Sequence, residues 1–236
     1  MIMRLGGRPS TRNPVSLEGY PRPGSTAQNG GVGLYSEHLL PRLLHLSMRG
    51  WPFQAQRPRC VAAAEGRVLE IGFGSGLNLP HYRPGVTELL ALEPSAVARR
   101  LARGAIERAP FPVRLLGLQA ESLPLEEASV DCVVSTWTLC SVRDPAAALA
   151  ELRRVLRPGG RLLFLEHGRH PDPRRARWQE RLDPLQRRIA GGCHLSRPIP
   201  ALVAASGLLL DPVEEFELAR PRLLGHSFLG SARRSG

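Results

Sequence analysis

Glu70, Gly72, Gly74 and Gly76 fall at alternate positions and form the densest chemical signal in the chain. Glycine lets the backbone turn sharply and lets a ligand come within contact distance of main-chain N–H groups. The loop follows directly on the apolar run Arg67–Ile71, and a second carboxylate, Glu93, closes the next such run 17 residues after Gly76. A carboxylate at the end of a second strand can accept from both hydroxyls of a ribose, as in nucleoside and dinucleotide sites. A nicotinamide dinucleotide asks for GxGxxG, so that a pyrophosphate meets a helix N-terminus. Here the glycines read GxGxG with an acidic residue two positions ahead of them. A carboxylate beside that turn suits a cationic cofactor segment, such as the amino group of a methionine moiety. The spacing therefore favours S-adenosyl-L-methionine over NAD.

These residues need a scaffold. Short apolar runs read as buried strands at Arg67–Ile71, Glu88–Glu93, Phe111–Leu118, Val130–Thr136 and Arg161–Glu166. Pro94–Arg108 reads as a helix with proline in its first turn, where a missing N–H costs least. Asp144 and Pro145 open another, running to Leu156 and ended by Pro158-Gly159-Gly160. Further helices are expected over Arg174–Ile189 and Ile199–Ser206, and two closing strands in the last thirty residues. Alternating strands and helices imply right-handed βαβ units. The expected fold is α/β and Rossmann-like over residues 67–236, a mostly parallel seven-stranded sheet with helices on both faces.

The two ends differ from this middle. Residues 1–31 are rich in breakers without a hydrophobic period, and read as a disordered or non-native extension. Residues 32–66 read as a helical cap. Its amphipathic helix, Leu34–Met48, carries Leu39, Leu40, Leu43, Leu44 and Leu46 and is interrupted early by Pro41. That helix either packs on the domain as a lid or lies on a membrane surface, giving residues 34–48 a peripheral membrane contact.

Apolar residues make up 42% of the 236, enough for a sizeable core, which excludes a wholly disordered chain. The net charge is +11, and all 32 basic residues are arginine. Residues 1–60 carry 8 Arg against 2 acidic residues, residues 61–170 carry 13 against 12, and residues 171–236 carry 11 against 7. The centre is thus nearly neutral, and with 5% aromatic residues it lacks the cation-and-aromatic surface of a nucleic-acid groove, so no nucleic-acid partner is expected. No apolar run approaches the ~18 residues of a membrane span. Cys60, Cys132, Cys140 and Cys193 are scattered without paired spacing, which argues against zinc and disulfides; no metal is expected, and a cytoplasmic monomer is the default.

The strings VLEIGFGSG, LALEPS, QAESLP, VDCVVST and RRVLRPGGRLLFLEH occur in that order. In them the chain resembles the class I S-adenosylmethionine-dependent methyltransferases acting on small molecules, across about residues 34–231. Three shorter strings, Thr138–Val142, Glu166-His167 and Gly192–Arg197, resemble the alkyl-thiol methyltransferases of the methyltransferase-like seven group. The resemblance implies that Glu70, Gly72 and Gly76, with Gly74 between them, line the methionine end. It implies that Glu93 holds the ribose with Pro94 and Ser95 alongside, that Ala120 brackets the adenine, and that Thr136 closes the site. Many relatives have an acidic residue where this chain has Gln119, whose amide oxygen can still accept from the adenine amino group. Membrane-anchored relatives begin with a hydrophobic span, and this sequence shows none, so an integral location does not carry over.

A methyl group on a sulfonium already has an activated leaving group, so the enzyme chiefly aligns the nucleophile, an effect of ~7–11 kcal/mol. The resemblance makes a thiol the leading acceptor. A thiol reacts as its thiolate, which a basic or cationic neighbour favours. His167, after the fifth strand, and His194, in a glycine-containing loop, are the candidate catalytic residues, although either can serve as a backbone cap. Cys193 reads as a packed or acceptor-lining residue, because the reaction needs no covalent enzyme intermediate. Cys132 and Cys140 read as core, and Trp137 equally as pocket wall or core. The Asn/Asp-Pro-Pro-Tyr/Phe string of base-methylating enzymes is replaced by Ser135-Thr136-Trp137-Thr138. A phospholipid or quinone methyltransferase, and a non-catalytic cofactor-binding regulator, are the rival readings.

Overall fold

The computed structural model describes residues 35–218 and 225–236; the expected extension over residues 1–31 lies outside them. Strands β1 (Gly66–Ile71), β2 (Val86–Leu92), β3 (Val113–Leu116), β4 (Val130–Thr136) and β5 (Leu156–His167) pair in parallel. β6 (Leu209–Leu210), β7 (Glu214–Glu217) and β8 (His226–Arg233) follow, and β8 runs antiparallel to β5. The order across the sheet is β3-β2-β1-β4-β5-β8-β6, with β7 also on β8.

Alternation along the strands builds two cores. Leu69, Leu90, Leu92, Val133, Leu162 and Phe164 point to one face, which is covered by helices α5 (Pro145–Val155) and α7 (Ile199–Ala205). Val68, Leu89, Ala91, Val134, Leu163 and Leu165 point to the other, covered by α3 (Arg57–Val61) and α4 (Ala96–Glu107). Helices on both faces of a mostly parallel sheet match the expected Rossmann-like architecture.

Eight strands stand where the sequence leads one to expect seven. The additional one arises because a single expected closing strand is cut in two. Leu209 and Leu210 pair with one end of β8, and Glu214–Glu217 with the other. Between them lies Pro212, which has no N–H to give to the ladder. The fifth strand also starts earlier than expected. Leu156 already pairs with Val130, and Pro158-Gly159-Gly160 forms a bulge within β5 before the register resumes at Cys132 and Arg161.

Helix starts follow their caps. Asp144 accepts from the N–H groups of Ala146 and Ala147, both at 3.0 Å, and Asp172 caps α6 (Pro173–Ile189) in the same way. The expected helix over Leu34–Met48 begins as a π-helical turn, Tyr35–Leu39, and becomes α1 (Leu40–Met48) at Pro41. Proline cannot donate to the preceding turn but is accepted in the first turn of a new helix. The short α2 (Trp51–Gln54) follows. Among the described residues no helix is long and apolar enough to cross a membrane.

Candidate active site

The carboxyl ends of β1, β2, β4 and β5 open into a cavity of about 960 Å³. Its floor is the turn after β1. Gly72 has φ +63°, and a Cβ there would lie 1.9 Å from Thr138 Oγ1, so the backbone direction and the close approach both require glycine. A Cβ on Gly74 would meet only Gly72 O at 3.8 Å, which leaves open space above the turn. Glu93 holds this turn to the start of α4, accepting from Gly74 N and Ser95 N, each at 2.8 Å. Burial raises the Glu93 carboxyl above the ordinary range against the pull of those two N–H groups.

Pro94, Ser95, Gln119, Ala120 and Thr136 line the same cavity, so the structure brings most of the expected cofactor residues together. Glu70 and Gly76 are set back from the residues that line it. Glu70 is 1% exposed, and its oxygens accept from Tyr82 Oη at 2.7 Å and Asn78 Nδ2 at 2.9 Å. Asn78 Nδ2 also donates to Thr136 Oγ1 at 3.0 Å, and its Oδ1 accepts from Arg57 Nη1 at 2.8 Å. Glu70 is thus tied to the cavity walls through Asn78, which bonds both Thr136 and Arg57. Burial pushes its carboxyl up to about 7, outweighing the hydrogen bonds from Tyr82 and Asn78. Gly76 instead packs beside Phe73 and Leu79.

A roof comes from the N-terminal helices. Leu40, Leu44, His45 and Met48 of α1 line the cavity, and His45 Nδ1 shares a 2.6 Å hydrogen bond with Ser75 Oγ of the glycine turn. Trp137 is a cavity wall: Phe53 meets it edge-on at 5.3 Å, and the Arg57 guanidinium lies 5.0 Å from its ring centre.

The other wall carries sulfur and imidazole. His167 Nε2 lies 2.6 Å from Cys193 Sγ, which is 3.9 Å from Cys140 Sγ; all three residues line the cavity. Cys140, 1% exposed, is buried as expected of a core residue and also borders the cavity. The Cys140 contact and burial push the Cys193 thiol well up against the pull of His167, and one proton is shared between Nε2 and Sγ. Behind this wall Glu166, fully buried, accepts from Ser135 Oγ at 2.6 Å and from the N–H groups of Thr138, Leu139 and Cys140 at 2.9, 3.0 and 3.3 Å. His194, also on the wall, has Nδ1 3.0 Å from Asp183 Oδ2. Asp183 Oδ1 accepts from Leu195 N at 2.5 Å and Ser196 N at 3.3 Å. Sequence reasoning missed Asp183, Asn78 and Arg57, which offer no motif. Glu166 lay beside His167 in a quoted string, and its buried position was the available signal.

Residues 69–164 match the family described as a methyltransferase domain. Human thiol S-methyltransferase TMT1A is 33% identical over 170 residues, covering 68% of this chain and 69% of that protein. The chain belongs to the class I S-adenosylmethionine-dependent methyltransferases. Rat thiol S-methyltransferase TMT1B is 36% identical over 137 residues, 56% of this chain and 56% of the relative, so the match spans little more than half of that protein. The solved structure of a SAM-dependent methyltransferase from Methanosarcina mazei has the same fold, with TM-score 0.59 and 23% identity, over 74% of this chain and 95% of that one. For a class I methyltransferase, membership implies S-adenosylmethionine as cosubstrate. The cavity fits it: glycines at alternate positions of the turn leave room for main-chain approach, with open space above Gly74, and a buried carboxylate stands just after β2.

Proposed function

We propose that the protein transfers a methyl group from S-adenosylmethionine to a thiol on a small, apolar molecule. The observation that carries this reading is the wall of His167, Cys193 and Cys140 on the cavity that the glycine turn also lines. The printed names of the TMT1A and TMT1B relatives support it. Bound S-adenosylmethionine supplies an activated methyl on a sulfonium. In this reading Glu93, Pro94 and Ser95 hold its ribose, Gln119 and Ala120 bracket the adenine, and Gly72 and Gly74 admit its methionine end. Glu70 acts from behind, fixing Asn78 and so Thr136. His167 stands where an acceptor sulfur sheds its proton, and Asp183 orients His194 at the same wall. Trp137 and the α1 roof exclude water and confine the acceptor. Such alignment lowers the barrier by ~7–11 kcal/mol.

The roof also favours an acceptor that arrives from a lipid surface. Its outer side exposes Leu43, Leu46 and Trp51, the last at 80%, beside Arg42 and Arg49. An apolar face flanked by cations suits peripheral contact with an anionic bilayer.

The test is conversion of S-adenosylmethionine to S-adenosylhomocysteine by the purified chain, supplied in turn with small thiols, phosphatidylethanolamine and a quinol. Turnover with thiols alone is expected. Turnover with the lipid or quinol alone would replace the thiol reading, and cofactor binding without turnover on any acceptor would make the chain a binding protein. His167→Ala is expected to lower thiol turnover about 100-fold, the usual scale of a proton-handling group, at unchanged cofactor affinity.

A further inference from the structure

Spacing along the chain offers no metal motif, but space does. Cys140 Sγ, His167 Nε2 and Cys193 Sγ all lie within 4.8 Å of one another. We infer that these three side chains bind a soft divalent ion of the Zn²⁺ type, and that the acceptor thiolate takes its fourth position. The inference rests on the thiol reading above and deepens it, with one change: once His167 Nε2 holds the ion, the ion and not the imidazole makes the acceptor sulfur a thiolate.

The geometry carries the argument. Zn–S bonds of about 2.3 Å in a tetrahedral site set two sulfurs about 3.8 Å apart. The observed separation between Cys140 and Cys193 is 3.9 Å. His167 Nε2 and Cys193 Sγ stand at hydrogen-bond distance, 2.6 Å, where an ion bound to both needs about 3.5 Å. The ring thus withdraws by about 1 Å as the ion takes the place of the shared proton. Two sulfurs and an imidazole are a donor set for zinc and not for magnesium or calcium.

The backbone beneath the donors is held in place. Glu166 fixes the Cys140 N–H, His194 N donates to Cys140 O at 2.9 Å, and Arg197 Nη1 donates to Leu139 O at 2.6 Å and Val142 O at 2.9 Å. Outer contacts of this kind orient metal ligands. All three donor residues line the cavity, so the inference sets the fourth position on that side, the arrangement of catalytic and not structural sites. A second group, His170, Glu217 and His226, is less suited, because the Arg175 guanidinium already sits 2.9 Å from His170 Nε2 and 3.1 Å from Glu217 Oε1.

The step balances without an oxidant or reductant. The ion displaces the thiol protons of Cys140 and Cys193 to solvent, and an entering acceptor thiol releases its own proton to solvent as its sulfur binds. That sulfur then attacks the methyl carbon. The new C–S bond forms as the sulfonium C–S bond breaks, and the electron pair stays on the sulfur of S-adenosylhomocysteine. The neutral thioether product, a weak ligand, leaves the ion.

The experiment strips the full chain with a chelator and titrates it with Zn²⁺ and with Co²⁺. One ion per chain is expected, with sulfur-to-cobalt charge-transfer absorption that grows when a small thiol is added. Cys140→Ser and Cys193→Ser are expected to weaken binding more than ten-fold, and His167→Ala likewise, while each still binds S-adenosylmethionine, which shows that it has folded. Cys60→Ala, in the core, keeps the ion. Absence of the sulfur absorption would overturn the inference, as would metal binding unchanged in Cys193→Ser, or a Cys140–Cys193 disulfide in a chain that binds no ion once reduced. Full-rate thiol methylation by the stripped chain overturns the metal role and leaves the thiol reading standing. A thiol-dependent cobalt spectrum with no methylated product upholds the site and overturns the thiol reading.

Discussion

On the glycine-turn side of the cavity, where the cofactor is proposed to bind, one carboxylate both scaffolds and faces the cavity: Glu93 ties Gly74 N to Ser95 N and lines the wall itself. On the acceptor side those two tasks are divided. Glu166 and Asp183 hold the N–H groups of Thr138, Leu139, Cys140, Leu195 and Ser196, while Cys140, His167, Cys193 and His194 face the cavity. Where one residue does both, changing it disturbs geometry and binding together. Where the tasks are split, the facing side chains can change while the loops that carry them stay in place.

The strongest way to break this contrast is Gly72→Ala, because the Gly72 turn touches Thr138 of the acceptor side. A non-glycine residue at positive φ costs about 1–3 kcal/mol before the collision with Thr138 is added. Calorimetric titration with S-adenosylmethionine is expected to show binding abolished, and thermal unfolding a lowered Tm. Full affinity would mean that the turn and the Thr138 loop move independently.

Glu70 gives the next largest effect, through pH. Its folded-state carboxyl lies at about 7 against 4.5 ordinarily, so the folded chain holds that proton more tightly than the unfolded chain does. The stability it contributes is full below the ordinary value and falls as pH rises to about 7, by roughly 3 kcal/mol. Glu70→Gln cannot ionise, and urea midpoints at pH 5 and pH 8 are expected to lie closer together in the variant than in the parent. An identical pH dependence in both would refute the assignment.

Smaller effects sharpen the contrast. Glu93→Ala is expected to weaken cofactor affinity about 10–100-fold, since bonds to a charged group are worth about 1.5–3 kcal/mol. Asp183→Asn is expected to leave that affinity unchanged and raise the acceptor KM a few-fold, about 1 kcal/mol. Steady-state kinetics with both substrates varied separates the two; equal losses in cofactor affinity would remove the division.

The same contrast explains what the sequence discloses. The cofactor side is legible because its parts are short and local: Gly72 to Gly76 after one strand, and Glu93 to Ser95 after the next. The motif names Glu70 but not its partners: Tyr82 and Asn78, which hold the carboxylate, follow the glycine loop without a pattern of their own. The acceptor wall is legible only in part: local strings name His167, Cys193 and His194, but chain crossings bring them to Cys140. Cys140 and Cys193 are 53 residues apart, and His167 and Cys193 26. The split closing strand was hidden in the same way, since Pro212 shows a break without showing that both halves return to β8.

Thr138 has a consequence of its own. Its hydroxyl reaches the carbonyls of Ile71 at 3.3 Å and Thr136 at 3.1 Å, and its N–H rests on Glu166. The residue is a caliper, setting the interval between the glycine turn and the sulfur wall before any ligand arrives. The loop of His194, Leu195 and Ser196 is held instead by Asp183 and by Cys140 O. That loop can therefore be exchanged to suit a different acceptor without resetting the gap across which the methyl group must travel.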